Sequence, residues 1–186
     1  KLEGQIIRRN PEYQMEDRLL LDKVDYENAC IELDDKSYPL KEKRFPTVNR
    51  DDPYKLSQAE REIMDELEKL FLESEQLQRH VEFLYSHGSM YQVFNGNLLF
   101  HGCVPLDEDG ALKAIHLEGR IYQGRSYMDY ADMAARRAFF SEDPPQRYLD
   151  FMWYLWCGSN SPLSGRVVKT FERTFIEDKS TWEEPK

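Results

Sequence analysis

His101 is the side chain whose neighbours best equip it for chemistry. It follows Asn97-Leu98-Leu99-Phe100 and precedes Gly102-Cys103-Val104-Pro105, with Asn95-Gly96 just upstream. The apolar run reads as a short buried strand that delivers an imidazole to a sheet edge, where Gly102 lets the backbone turn away sharply. A neutral imidazole in that place can ligate a metal; a core histidine with one nitrogen satisfied fits the same spacing. His80 and His87 fall within and at the end of a helical stretch, which suits surface or capping roles, and His116 reads as an exposed alternating strand residue. Cys103 has no His–carboxylate pair marked for it and reads as a small buried thiol. Arg166, between Gly165 and Val167, suits a two-pronged grip on a phosphate as well as a solvated loop cation. Arg8 and Arg9 carry the same pair of readings, with an acidic neighbour as the alternative partner.

These groups need elements to hold them. The opening 1–55 read as an irregular segment with a β-hairpin, and 56–186 as a helix, hairpin strands and aromatic helices. Pro11 argues for an irregular start followed by a short helix, and for an opening half poorly suited to a core of its own. Ala29–Leu33 and Lys36–Leu40 flank Asp34-Asp35 as a hairpin, and 44–55, with Pro46 and Pro53, form a loop. Ser57 and Glu60 predict a capping box that opens one long helix ending at a left-handed Gly88. Its stripe of Ile63, Leu67, Leu70, Leu77, Val81 and Leu84 reads as a core-packing face. Asn95-Gly96 and Glu118-Gly119 predict two more hairpins, and a helix runs from about Ser126 to Phe140. Gln146 to Cys157 is an aromatic helix ended by Gly158, and Val167 to about Glu177 is a final helix or strand. Trp153, Tyr154 and Trp156 either fill a core or wall a sugar pocket.

Several ordered blocks resemble one family. Arg8-Arg9-Asn10-Pro11 with Met15–Tyr26, Gly88-Ser89-Met90-Tyr91 with the His101-Gly102 pair, Met152–Gly158, Ser161–Arg166 and Thr170–Phe175 are similar to the class III fructose-1,6-bisphosphatases of bacteria, within the calcineurin-like phosphoesterases. The resemblance implies an α/β (α+β) fold: a partial phosphoesterase sheet with a long amphipathic helix and further helices. It implies that His101 binds one ion of a two-metal pair, manganese or else magnesium, that activates water for hydrolysis of fructose 1,6-bisphosphate. Arg166, read from its loop position, is the substrate-binding candidate. The family's Asp-x-His, Gly-Asp-x-x-Asp-Arg-Gly, Gly-Asn-His-Asp and Gly-His-Thr strings are absent from these residues. That departure suggests an internal piece of a longer enzyme, inactive alone and holding no metal tightly. It also keeps open a non-catalytic insertion module for subunit contacts or regulation.

Composition narrows the partners. The 186 residues are 40% hydrophobic and 32% charged, which is globular rather than disordered. With 35 acidic against 25 basic residues, the net charge of −10 repels a nucleic-acid backbone, while leaving room for local arginines that hold a small phosphorylated sugar. Three widely spaced cysteines suit a reducing cytoplasm, and no apolar run approaches a membrane span. Self-association to a homo-oligomer stays open.

Overall fold

The computed structural model describes residues 1–183. In chain order the elements are helix α1 (Leu2–Arg9), strands β1 (Val24–Asp25), β2 (Cys30–Leu33) and β3 (Lys36–Pro39), then helices α2 (Gln58–Glu73) and α3 (Glu75–His87). Strands β4 (Tyr91–Phe94), β5 (Asn97–Phe100), β6 (Ile115–Leu117) and β7 (Arg120–Tyr122) follow, then helices α4 (Gly124–Phe140), α5 (Gln146–Cys157) and α6 (Thr170–Phe175). The architecture is α+β, with small antiparallel sheets rather than one large one.

The chain forms two compact units. The first holds residues 1–68 with the segment from Val168, and the second holds Lys69–Val167. In the first, β1, β2 and β3 form an antiparallel meander whose turn places Asp34 and Asp35 at positive φ, as two-residue hairpins require. Ile31 from the central strand packs with Leu20, Val24, Leu40 and Ile176, flanked by Phe45, Phe171 and Phe175. The opening segment therefore does gain a core, completed by residues from the far end of the sequence. Its start differs from expectation. A helix, α1, precedes Pro11 and buries Ile7, while only 3-10 turns follow it. Gly4 lets that helix approach the Tyr54 ring, which would overlap a β-carbon.

The capping box forms as read: the Glu60 N–H donates to the Ser57 hydroxyl at 3.3 Å, and the Ser57 N–H to the Glu60 carboxylate at 2.7 Å. The single long helix does not. It breaks at Ser74, which takes extended backbone and accepts from the Leu77 N–H at 3.4 Å, so one polar side chain ends α2 and caps α3. Neither helix buries a residue of the stripe that periodicity assigned to a core. Gly88 is not left-handed either, with φ −76°. The end of α3 is satisfied differently, by Arg136, which donates to the Tyr85 and Gly88 carbonyls.

The second unit is organised by α4 and α5. Tyr127, Ala131, Ala134 and Ala135 recur at helical spacing and are buried, and the small alanines let α5 come close. Tyr130 meets Phe151 edge-on with centroids 5.2 Å apart, and Phe151 stacks on Tyr154 at 5.6 Å. Asn95-Gly96 and Glu118-Gly119 both carry positive φ and close the predicted hairpins β4–β5 and β6–β7. The β5 strand, expected to be buried, is exposed along its length.

Candidate functional site

The His101 segment is held by the loop after α5. Ser161, fully buried, donates to the Leu155 carbonyl at 2.5 Å and accepts from the Leu163 and Ser164 N–H groups at 3.1 and 3.3 Å. That fixes a turn from Gly158 to Gly165 against the end of α5. The Cys103 N–H donates to the Pro162 carbonyl at 3.0 Å, and its thiol to the Ser161 carbonyl at 3.2 Å. Gly102 sits so close that a β-carbon would come within 2.4 Å of the Pro162 oxygen. Gly165, at φ +61°, lies across the seam, where a β-carbon would stand 2.7 Å from the Cys103 sulfur. The glycine of the His-Gly pair is thus needed for close backbone approach rather than for a left-handed turn.

The seam sets His101 and Arg166, both exposed, on the wall of one cavity of about 730 Å³. That is the size of a small-molecule site. Its polar wall adds Ser164, Asp132 and Arg136; its apolar wall comes from Met152, Leu155, Trp156, Leu84 and Leu163. Asp132 and Arg136 form a 2.7 Å ion pair within α4. With its carbonyl bonds to the end of α3, that pair makes Arg136 a brace for the cavity wall. Sequence reasoning did not single out this pair, although its i,i+4 spacing is a readable signal. Tyr85, beside it, stacks on Phe139 at 4.8 Å, and burial pushes its phenol up.

The remaining candidates take plainer roles. Arg8 pairs with Asp22 at 2.9 Å and Asp52 at 3.3 Å and lies over the Tyr54 ring, so it meets acidic neighbours. His80 is exposed, His87 stacks on Phe83 at 4.5 Å, and His116 points outward from β6. Burial raises the Cys103 thiol, which opposes the thiolate a nucleophile needs. On α5 the aromatic block divides: Tyr154 is core, while Trp156 is 80% exposed and lines the cavity. A second groove carries Arg125, Arg136 and Arg137 of α4, but Arg125 lies 3.6 Å from Asp129 and Arg137 donates to the Tyr148 hydroxyl.

A metal centre would need several hard or borderline donors converging. Among the described residues, no three His, Cys, Asp or Glu side chains come together in a way that could hold an ion. Asp132, the carboxylate of the cavity wall, is already committed to Arg136. The described residues by themselves, His101 included, do not fit a metal pair. Among the described residues, no helix is long and apolar enough to cross a membrane.

Comparison with known proteins gives this geometry a context. The chain is 50% identical to a class 3 fructose-1,6-bisphosphatase of Clostridium botulinum and 52% identical to one of Clostridium novyi, over 100% and 97% of its own residues. It spans 28% of the length of each of these relatives. No solved structure matches it. The profile of the Firmicute fructose-1,6-bisphosphatase family matches residues 1–186 without a gap at either end, and the chain belongs to that family.

Proposed function

We propose that this chain works within a metal-dependent phosphatase of the metallophosphoesterase class, which hydrolyses fructose 1,6-bisphosphate to fructose 6-phosphate and phosphate. One observation carries the reading. Stretches far apart in sequence, Gly88–Met90, His101, Met152–Trp156 and Leu163–Arg166, meet at a single cavity of suitable size. Each chemical requirement of a sugar phosphate then has a candidate. The Arg166 fork suits two oxygens of a phosphate, the Ser164 hydroxyl suits a further hydrogen bond, and Met152, Leu155 and Trp156 offer an apolar face to the carbon skeleton. His101 is proposed as one ligand to manganese or magnesium, with the other ligands supplied from outside this chain. The setting that fits is sugar-phosphate metabolism, gluconeogenesis in particular, in a reducing cytoplasm.

The test uses the full-length polypeptide. His101→Ala is expected to lower phosphate release by orders of magnitude and to reduce bound divalent metal, since a lost ligand weakens both affinity and activity. Arg166→Lys, which keeps the charge but loses the fork, is expected to raise KM about tenfold, or roughly 1.4 kcal/mol, with little change in kcat. Wild-type metal content and turnover in the His101 variant would reject the reading.

A further inference from the structure

Helix α3 ends without a left-handed glycine to close it. Gly88 takes extended backbone, so the last carbonyls of α3 need donors from elsewhere. The Gly88 N–H donates to the Leu84 carbonyl at 2.7 Å. The next group is met from another helix: Arg136 of α4 donates through Nη1 to the Tyr85 carbonyl and through Nη2 to the Gly88 carbonyl at 2.6 Å. Its Nε donates to the Asp132 carboxylate at 2.7 Å, and that ion pair aims the fork. A cation here also opposes the partial negative charge at the end of α3. Tyr85 and Gly88, with Ser89 and Met90 after them, line the same cavity as His101.

We infer that Arg136 is a positioning residue for the sugar-phosphate ligand: it holds the Tyr85–Met90 wall of the cavity in place and does not grip the ligand itself. The inference rests on the hydrolytic reading for the identity of that ligand. Two observations separate positioning from a direct grip. A guanidinium has five N–H donors, and four of those on Arg136 are engaged by protein acceptors. Asp132 already cancels its charge, so taking a phosphate would only exchange one charge-assisted pair for another. What Arg136 supplies is shape, since a wall fixed beforehand does not have to be ordered at the moment of binding. His101 is held separately. The Cys103 N–H ties its segment to the Pro162 carbonyl at 3.0 Å, and the Tyr91 hydroxyl keeps β4 on α4 by donating to Asp129 at 2.9 Å. Loss of the Arg136 fork therefore weakens binding and spares the chemical step.

The test places Arg136→Lys and Asp132→Glu in the full-length polypeptide. Both keep the charges and spoil the fork: lysine offers one nitrogen to three acceptor groups, and the longer carboxylate turns the guanidinium away from the α3 carbonyls. In each, exchange of the Gly88 amide hydrogen is expected to accelerate at least about tenfold, with the Cys103 amide unchanged. KM for fructose 1,6-bisphosphate is expected to rise about five- to tenfold, with kcat within about twofold. A raised KM with unaltered Gly88 exchange would overturn the inference in favour of a direct grip. Faster exchange with an unaltered KM would overturn it too, leaving Arg136 a structural cap. Should one variant not fold, the other decides; failure of both to fold would make the fork a requirement of the fold and overturn the inference. A wild-type polypeptide that binds fructose 6-phosphate in calorimetry without hydrolysing the bisphosphate would reject the hydrolytic reading alone, and the ratio of dissociation constants then replaces KM. One that does neither would overturn both.

Discussion

A β-carbon on Gly102 would stand 2.4 Å from the carbonyl oxygen of Pro162 and 2.5 Å from the carbonyl carbon of Leu163. Both obstacles are backbone atoms, so they cannot swing aside as the end of a flexible side chain would. Gly102→Ala is therefore expected to force the seam apart, at about 1–3 kcal/mol. The readout is Cys103, which bonds to the Ser161 carbonyl in that seam and is only half-buried. Its labelling by a maleimide should accelerate in Gly102→Ala. Gly96→Ala is the control: nothing lies within 4 Å of that position, so it carries only the strain of φ +76°. Equal Cys103 labelling in both variants would show that the seam tolerates the methyl group.

Arg18 and Glu172 form a two-pronged ion pair, with Nη1–Oε1 at 2.6 Å and Nη2–Oε2 at 3.0 Å, and Glu172 is 1% exposed. Burial alone would raise this carboxyl, but the hydrogen bond and charge of Arg18, helped by Lys169, hold it below the ordinary 4.5. A depressed folded-state value means that the pair's contribution is complete above the unfolded value. It is lost as pH falls through that value toward the folded one. Arg18→Met leaves a buried carboxylate with Lys169 alone, at 3.4 Å. The loss should be about 3–5 kcal/mol in urea unfolding at neutral pH, with the acid unfolding limb moved to higher pH. An unchanged urea midpoint would contradict this account.

Local chemistry was legible in the sequence where it acts locally. Asp34-Asp35, Asn95-Gly96 and Glu118-Gly119 name their turns because few residues accept positive φ, and the pairing of Ser57 with Glu60 names a helix start. Immediate neighbours mark His101 and Arg166 as candidates, the metal role of His101 is what the resemblance implies, and the structure places both on the wall of one cavity. What pattern could not tell is what an apolar face touches. Periodicity makes the α2–α3 stripe and β5 interior-facing, yet β5 and most of the stripe lie open, with only Leu77 and Val81 half-buried, because periodicity states a preference for cover and not where the cover comes from. The Arg18–Glu172 pair joins distant positions and leaves no local signal. The stripe continues in phase on either side of Ser74, so periodicity carries no sign of the break there.

That distinction changes the expected outcome of a core test. Leu67, on the stripe, is 42% exposed, so Leu67→Asp in this chain alone should alter stability by no more than about 0.5 kcal/mol. Phe151, packed between Tyr130 and Tyr154, is fully buried, and Phe151→Ala should cost about 3–5 kcal/mol. Thermal or urea unfolding of the two variants side by side checks the contrast. A strong loss in Leu67→Asp would mean that the stripe is covered in the isolated chain after all.

The chemistry of the chain by itself follows from its donors. A divalent manganese ion gives up part of a tightly held hydration shell when it binds, and only several converging oxygens and nitrogens offset that loss. His101 offers one neutral nitrogen, and no other His, Cys, Asp or Glu of the described residues joins it in a cluster of three. Asp132, on the same cavity wall, is neutralised by Arg136 at 2.7 Å. Manganese should therefore bind this chain more weakly than about 1 mM, which corresponds to under about 4 kcal/mol. With no retained ion to activate water, the isolated chain should release no phosphate from fructose 1,6-bisphosphate. Calorimetric titration with manganese, beside a phosphate-release assay at the same protein concentration, examines both expectations. Micromolar binding that disappears in His101→Ala, together with turnover, would show that ligands outside any recognised cluster complete the centre within this chain. Binding that survives His101→Ala would move the metal away from the cavity altogether.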